Sequence, residues 1–224
     1  MENVPDVADK FAQFARGGSL LRLTALQVLG SLGLPLDTRT CLPFLERIEI
    51  SIREDEFIHW RSLASCSSVT YLAIANDSGE WGNAFIRWPG PGQLRELCLV
   101  GSIPASGLLG LTALTCLDVH GYHPHHFVSS IGTLTTLQRL SLHGSDVDVQ
   151  ALARLSRLTE LRLNGDWPIV RGDDWGAMSS LRQLLRLHIS ANGGAVHLRR
   201  VAPAIRQLPQ LQWLEVDGEA VRLV

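Results

Sequence analysis

Apolar residues recur along the chain in a block, LxxLxxLxL, whose last two apolar positions are two residues apart. Five copies are clear: LTALTCLDV (111–119), LTTLQRLSL (134–142), LSRLTELRL (155–163), LRQLLRLHI (181–189) and LPQLQWLEV (208–216). Three weaker copies precede them: LPFLERIEI (42–50), CSSVTYLAI (66–74) and PGQLRELCL (91–99). Consecutive copies are 20 to 27 residues apart, counted at the third apolar position. Nearly the whole chain is therefore one repeat array.

The apolar spacing within each block predicts a short strand. Residues two apart on an extended chain point to the same side, so the last two apolar residues share a buried face. Strands at this period stack in parallel, about 4.8 Å apart, and the variable residues between them return along the opposite wall. The pattern predicts an α/β solenoid, a horseshoe with a parallel β-sheet on its concave face and short helices or irregular loops on its convex face. Helical spacing in 145–155 and 197–208 predicts two helical returns, the first with Ser145 and Asp148 placed as a capping box.

The two ends of the array carry patterns of their own. Residues 1–22 combine helical apolar spacing, early acidic residues and a Gly-Gly stop, which predict an N-terminal capping helix before an array over 23–218. LQVLGSLGL (26–34) fits the block but stands too close to the next copy, so it is either a degenerate ninth repeat or part of the cap. The Asp-Gly pair in LEVDGEAVRLV (214–224) predicts a turn followed by a C-terminal cap strand at 219–224.

Composition narrows the partner class and the compartment. Lys and Arg number 20 against 22 Asp and Glu, and this balance, without a basic cluster, argues against nucleic acid or an anionic membrane as partner. No stretch approaches the roughly 18 apolar residues of a membrane span. The amino terminus predicts no export signal because it is acidic and lacks a continuous apolar core. The four cysteines show no CxxC pairing and suit a reducing compartment, so we expect an intracellular, cytoplasmic protein.

Two segments carry a family resemblance. FVSSIGTLTTLQRLSLHG (127–144) resembles the leucine-rich repeats of plant and algal proteins, especially the intracellular disease-resistance-like kind. GSIPASGLLGLTALTCL (101–117) is similar to the GxIPxxLGxL form of these repeats, shifted by one residue after Pro104. The resemblance covers about residues 42–218 and implies a partner-binding scaffold rather than a reaction. Val128 stands where those repeats carry proline, and no GxxxxGKS/T nucleotide-binding loop accompanies them.

The repeat register assigns the outward-facing residues of each strand to three columns on the concave face. These columns hold the candidate partner-binding residues, which are Tyr71, Glu96, Asp118, His120, Arg139, His143, Glu160, Arg162, Arg186, His188 and Trp213. Arg139, Glu160 and Arg186 fall side by side, as either a lateral charge ladder or a docking strip for a charged segment. Tyr71 and Trp213 are the aromatic anchors expected of a binding hot spot, unless Trp213 packs under the carboxy-terminal cap.

Half of the eight histidines lie in the stretch HGYHPHHF, which begins at His120. The register places His120 on the concave face beside His143, about 4.8 Å away on the next strand, and the other three in a return loop. Four ligands do not converge, so the sequence predicts no metal site and no cofactor, and the two face histidines are interpreted as a pH-sensitive pair. Weak metal binding would require His123 to fold back onto them.

Three functions remain, in order of preference. The first is a non-catalytic scaffold that binds a protein or peptide partner on the concave face. The second is a regulatory or adaptor subunit, such as a ubiquitin-ligase substrate receptor, a GTPase regulator or an immune-type recognition protein. A metal-dependent or hydrolytic enzyme comes last: Asp118, His120, Ser141 and His143 share a patch, but an open face offers no water-excluding pocket and no oxyanion hole.

Overall fold

Nine strands of the computed structural model form one parallel sheet in chain order, and a tenth closes it. The described residues are 24–29, 44–52, 68–76, 93–101, 108, 110–121, 127, 130–144, 147–166, 175–192 and 198–222. The strands are β1 (Ala25–Leu29), β2 (Arg47–Ile52), β3 (Tyr71–Asn76), β4 (Glu96–Val100), β5 (Cys116–His120), β6 (Arg139–His143), β7 (Glu160–Asp166), β8 (Arg186–Asn192), β9 (Trp213–Val216) and β10 (Glu219–Arg222). The described helices are α1 (Val149–Leu152), α2 (Leu198–Ile205) and a 3₁₀ turn (Trp175–Ser180).

The repeat block determines the register of the sheet. The second residues of the strands pair with one another, for example Leu117 with Leu140 and Leu140 with Leu161, and all three are buried. From β2 to β8 the second and fourth residues of every strand point into the core and their neighbours point out. Each fully buried leucine contributes about 1.5 to 3 kcal/mol of hydrophobic free energy. The parallel solenoid predicted from the apolar spacing is confirmed.

The first strand corrects the frame of the first repeat. Leu26 of β1 pairs with Ile48 of β2, so Leu26 is the third apolar residue of a block that reads LLRLTALQV (20–28). The frame predicted at 26–34 is displaced by six residues. Leucine recurs every third residue through this segment, and both frames therefore satisfy the same pattern. Only the pairing of the strand distinguishes them.

The described returns agree with the helical spacing found in the sequence. Both α1 and α2 lie in the segments predicted to be helical. The cap of α1 differs from the prediction: Asp148, not Ser145, is the N-cap residue, and its carboxylate accepts a 2.9 Å hydrogen bond from the Gln150 N–H. Trp175 fills the outer wall and is 2% exposed. No helix in the described ranges is long and apolar enough to cross a membrane.

The carboxy-terminal end of the array is closed by a hairpin. β10 pairs with β9 in antiparallel fashion and so covers the edge that the last parallel strand leaves open. The two turn residues adopt left-handed backbone angles, with φ of 49° at Asp217 and 84° at Gly218, as a two-residue hairpin turn requires. The capping helix predicted at 1–22 lies outside the described residues.

A column of glycines occupies the sixth position, directly after the last outward-facing column, on four consecutive strands from β4 to β7. The column consists of Gly101, Gly121, Gly144 and Gly165. At Gly121 φ is 127°, and an added Cβ would lie 2.5 Å from the carbonyl oxygen of Gly101. The Gly121 N–H donates to the carbonyl of His143 at 3.0 Å. Close stacking of the backbone therefore continues past the strands and holds the ends of β5 and β6 together.

Candidate functional site

The first, third and fifth residues of the strands form the surface that we call the open face. The strand pairing places every predicted binding residue on it, in the predicted columns, namely Tyr71, Glu96, Asp118, His120, Arg139, His143, Glu160, Arg162, Arg186, His188 and Trp213. Alternate burial along each strand explains this arrangement, because the apolar residues between these positions are withdrawn into the core. The open face therefore carries the side chains that a partner could reach.

The charged side chains of the first column do not form the predicted lateral ladder. Arg139 Nη2 lies 3.2 Å from Oε1 of Glu96, two strands away. Glu160 instead accepts from Nε of Arg162 at 2.8 Å, two residues along its own strand. Arg186 has no ion-pair partner among the residues that the structure describes. Long side chains reach along a strand as readily as across it, so adjacency in a column does not decide the pairing.

The two predicted aromatic anchors differ in accessibility. The guanidinium of Arg47 lies 3.5 Å above the centre of the Tyr71 ring, and its Nε also donates to Glu49 at 2.9 Å. One face of Tyr71 is therefore already covered by a cation–π contact. Trp213 is 42% exposed although it pairs with Arg222 of the closing hairpin. Trp213 is thus the aromatic anchor that a partner can still cover.

A recess of about 470 Å³ opens on the face of β7, β8 and β9. It is lined by Glu160, Leu161, Arg162, Arg186, Leu187, His188, Trp213 and Glu215. The recess joins the exposed indole of Trp213 to the unpaired guanidinium of Arg186. This combination of an aromatic ring, a free cation and a concave shape is found nowhere else among the described recesses.

A relay of polar side chains crosses four strands beside this recess. We use the name relay for His143, Asn164, His188 and Glu215. Nδ1 of His143 lies 3.2 Å from Nδ2 of Asn164, whose Oδ1 lies 3.1 Å from Nε2 of His188. Nδ1 of His188 is 3.2 Å from Oε2 of Glu215. Sequence reasoning left Asn164 and Glu215 out of the site, although their columns already placed them beside the two histidines.

The amino-terminal end of the relay meets a compact group that we call the histidine cluster, formed by Asp118, His120 and His143. The imidazole rings of His120 and His143 stack with centroids 3.8 Å apart and an interplanar angle of 18°. Oδ1 of Asp118 lies 3.0 Å from Nε2 of His120 and 3.9 Å from Nε2 of His143. The sequence predicted the histidine pair. A further ligand was expected only if His123 folded back onto the pair, and His123 lies outside the described residues. In the structure Asp118 is the third potential ligand beside the two histidines.

Comparison with known proteins identifies the scaffold. No family model and no curated protein matches the chain. Among solved structures it is similar to an internalin (InlF) from Listeria monocytogenes, with 17% identity and a TM-score of 0.50 over 84% of this chain and 61% of that one. Internalin C2 from the same organism gives 21% identity and 0.52 over 80% and 74%, and the leucine-rich repeat domain of APL1B gives 14% and 0.50 over 96% and 69%.

The chain has the leucine-rich repeat fold. Identities this low establish the architecture and nothing finer, and the chain spans only 61% of the length of the InlF structure. The likeness to plant and algal repeats stays a prediction. Stacked repeats of this kind present an extended concave surface.

Burial changes the pKa of one member of the histidine cluster, His143. Withdrawal of His143 from water lowers the pKa of its imidazole, and the neighbouring His120 lowers it further. The ring is therefore neutral near pH 7, with one nitrogen as donor and the other as acceptor. Which nitrogen carries the proton depends on the orientation of the Asn164 amide, because Asn164 contacts Nδ1.

The hydrolytic arrangement imagined from the sequence is only half present. Ser141 Oγ lies 3.0 Å from Nε2 of His143, within hydrogen-bond reach. A catalytic triad also needs an acid on the far nitrogen to orient the ring. Asp118 approaches the same Nε2 that faces Ser141, and Asn164 occupies the far side. The geometry therefore matches a polar network better than an activated serine.

The two described cysteines lie towards the amino-terminal part of the open face. Cys98 and Cys116 are both free thiols. Burial, with a smaller contribution from Asp118, raises the pKa of Cys98 to about 11, and burial also raises the pKa of Cys116. The nucleophile of a cysteine is its thiolate, which is scarce at neutral pH under these conditions. These thiols act as small apolar groups rather than as reactive centres.

Proposed function

We propose that this leucine-rich repeat protein is a non-catalytic scaffold that binds a protein partner on the open face of β7 to β9. The observation that carries the proposal is the recess where Trp213, 42% exposed, lies beside the unpaired Arg186. Tryptophan and arginine are enriched in binding hot spots. Tryptophan buries a large surface at small entropic cost, and arginine forms several directed hydrogen bonds. Both are concentrated here in a concave setting.

The charges around the recess define the partner. Glu160 is engaged by Arg162, and Glu215 faces His188. Arg186 is the cation of the recess that has no ion-pair partner among the described residues. A complementary segment carries a carboxylate that meets Arg186 and an apolar side chain that covers Trp213. Complementary charge guides association and excludes wrong partners, while the covered indole supplies most of the affinity.

The second candidate function, a regulatory or adaptor subunit, would bind its partner through the same surface. It differs from the scaffold proposal only in the activity of that partner. We place the protein inside the cell, because free thiols such as Cys98 and Cys116 fit a reducing compartment. An immune-type recognition role rests on the sequence likeness to plant and algal repeats alone. The scaffold function does not depend on it.

Site-specific photo-crosslinking in cells of the native source tests the proposal. A benzophenone amino acid replaces Trp213 in one version of the chain and the exposed Arg157, in the turn before β7, in a matched control. We expect a discrete cross-linked protein partner from the Trp213 position and none from the Arg157 position. The partner is then purified, and its affinity is measured for the unlabelled chain.

Arg186→Glu and Trp213→Ala should each weaken that affinity at least about thirtyfold, the equivalent of a hot-spot loss of 2 kcal/mol. Arg157→Glu should leave it within about twofold, because surface substitutions away from an interface change little. Equal cross-linking from both positions, or an affinity that survives Arg186→Glu, would overturn the assignment of this face.

A further inference from the structure

We propose that Asp118, His120 and His143 form a binding site for a divalent transition-metal ion of the Zn²⁺ class. The inference does not rest on the partner-binding recess, which lies on later strands. Two imidazole nitrogens and one carboxylate oxygen are the mixed donor set that Zn²⁺ and its neighbours prefer, whereas Mg²⁺ and Ca²⁺ select oxygen ligands alone.

The ligand atoms are already gathered. One donor atom from each of the three side chains lies within 4.8 Å of the other two. Around a tetrahedral Zn²⁺ with bonds of about 2.0 to 2.1 Å, ligand atoms stand roughly 3.3 Å apart. The separations of 3.0 Å and 3.9 Å from Asp118 Oδ1 to the two Nε2 atoms lie on either side of that value. Rotation of the side chains, including the two stacked imidazole rings, would bring the three donor atoms onto one ion.

The backbone holds these three residues in a fixed triangle. Asp118 and His120 are two apart on β5 and share its outward side. His120 and His143 are register partners on β5 and β6. The glycine column stacks the ends of these two strands closely, with the Gly121 N–H bonded to the carbonyl of His143. Chelation would require only the half-exposed imidazole rings to open from their stacked arrangement.

The surroundings of Asp118 Oδ1 also favour a cation at this place. Oδ1 of Asp118 is hidden from solvent and makes no aligned hydrogen bond, although Nε2 of His120 lies only 3.0 Å away. The Asp118 side chain as a whole is 38% exposed, but a carboxylate oxygen that is shielded from water and lacks an aligned hydrogen bond is costly. A cation between the carboxylate and the two imidazoles satisfies this oxygen directly.

The relay supplies the outer shell that such a site needs. A metal-bound histidine donates its other ring N–H to an acceptor, which fixes its tautomer. With the Asn164 amide turned so that Oδ1 faces His143, Nδ1–H of His143 donates to it and Nε2 is left as the metal ligand. The amide N–H then donates to Nε2 of His188, and Nδ1–H of His188 donates to Glu215. All three contacts of the relay are satisfied by neutral histidines in this orientation, whereas the opposite orientation requires His188 to carry a proton on both nitrogens.

Three protein ligands leave at least one position for water or for a group supplied by a bound molecule. The site is therefore a surface metal site rather than a closed structural one. We expect the fold to form without metal, because the leucine core of the sheet does not depend on it.

Calorimetric titration of the chelator-treated full chain with Zn²⁺ tests the site. We expect one Zn²⁺ per chain, with no comparable binding of Mg²⁺. Asp118→Asn and His143→Gln should each abolish this binding. Glu49→Gln, which changes a carboxylate in the same column three strands away, should leave it unchanged. His120→Gln replaces either variant if that variant fails to fold, as judged by circular dichroism.

Two substitutions at Asn164 test the outer shell. Asn164→Leu should weaken Zn²⁺ about 10- to 100-fold, the usual effect of losing an outer-shell partner. Asn164→Asp should strengthen it, because a carboxylate accepts the Nδ1–H of His143 more strongly. Substituting Co²⁺ gives a visible absorption spectrum that reports the ligand set and should change in Asn164→Leu, a readout that a purely structural role would not move.

The proposal fails if the native chain binds no stoichiometric Zn²⁺. It also fails if binding survives Asp118→Asn and His143→Gln, because the metal would then lie at other histidines of the chain. Tighter or unchanged Zn²⁺ binding in Asn164→Leu would show that the relay does not act as the outer shell of the metal site.

Discussion

The open face of β2 to β4 differs from that of β5 to β9, although both halves share one buried face. In the third and fifth columns β3 and β4 carry only small or apolar groups, namely Ala73, Ala75, Cys98 and Val100, while Glu49 of β2 is the one charged residue of this half in those columns. The second half carries the histidine cluster and the relay in the same columns. The block positions fix the scaffold, and the positions between them are free to vary. Chemistry can therefore be concentrated in one half without any change in fold.

The electrostatic surroundings of the two halves differ accordingly. In the first half a shallow recess of about 160 Å³ is lined largely by small side chains. A thiol there is withdrawn from water, with little to stabilise its charged form. From β6 to β9 withdrawn polar side chains have polar neighbours within hydrogen-bond distance, as in the contact between Asn164 and His188. Burial thus suppresses ionisation of the thiols on β4 and β5, whereas from β6 to β9 it accompanies a network of polar contacts.

Removing a core leucine from each half tests whether the buried face is as uniform as the register implies. Leu72 and Leu161 occupy the same block position and are both 0% exposed. We expect Leu72→Ala and Leu161→Ala each to lower the free energy of unfolding by about 2 to 5 kcal/mol, through lost burial and a residual cavity. Urea denaturation measures both losses, and Arg157→Gln should stay within about 0.5 kcal/mol. A loss below about 1 kcal/mol at either leucine would mean that its half is loosely packed.

The thiol of Cys98 tests the apolar character of the first half. Burial raises its pKa from 9.0 to about 11, so at pH 8 its thiolate fraction is about a hundredfold below that of an unperturbed thiol. Alkylation by iodoacetamide, followed at this residue by mass spectrometry, should be slower by about that factor than in a short unstructured peptide.

Asp118→Asn supplies the control for this rate, because the negative charge of Asp118 is the second cause of the raised pKa. The variant should speed alkylation of Cys98 modestly and leave most of the suppression in place, since burial is unchanged. Alkylation as fast as in the free peptide would show that water reaches the Cys98 thiol and that burial does not raise its pKa.

The sequence predicted the scaffold well because its pattern is physically redundant. Each strand from β2 to β9 has two apolar residues at period two inside a recurring block, and a shift of register by one residue would expose both. The error at β1 shows the limit of this redundancy. Leucine at every third residue through 20–32 satisfies two frames, and only the pairing of Leu26 with Ile48 selects one.

The site was less predictable than the scaffold. Columns could be read from the register, and they placed Asp118 and His143 in one patch. Which side chains touch is decided by rotamers, and a sequence pattern carries no information about those. Arg139 pairs with Glu96, two strands away, although Glu160 is on the neighbouring strand. Glu160 already forms an ion pair with Arg162 of its own strand. Such competition is resolved only when all partners are placed together.

The ion pair between Arg139 and Glu96 joins β6 to β4 across the boundary between the two halves. It tests whether charged side chains stabilise the contact between the halves. Its side chains are 55% and 43% exposed, so water and salt screen most of the attraction. We expect a double-mutant cycle with Arg139→Gln and Glu96→Gln to give a coupling of at most about 0.5 kcal/mol that shrinks further in high salt. A coupling above about 1 kcal/mol that persists in salt would mean that the halves stabilise each other through their charges. With a small coupling, the two halves are joined by the backbone pairing of β4 with β5, the leucine core and the glycine column.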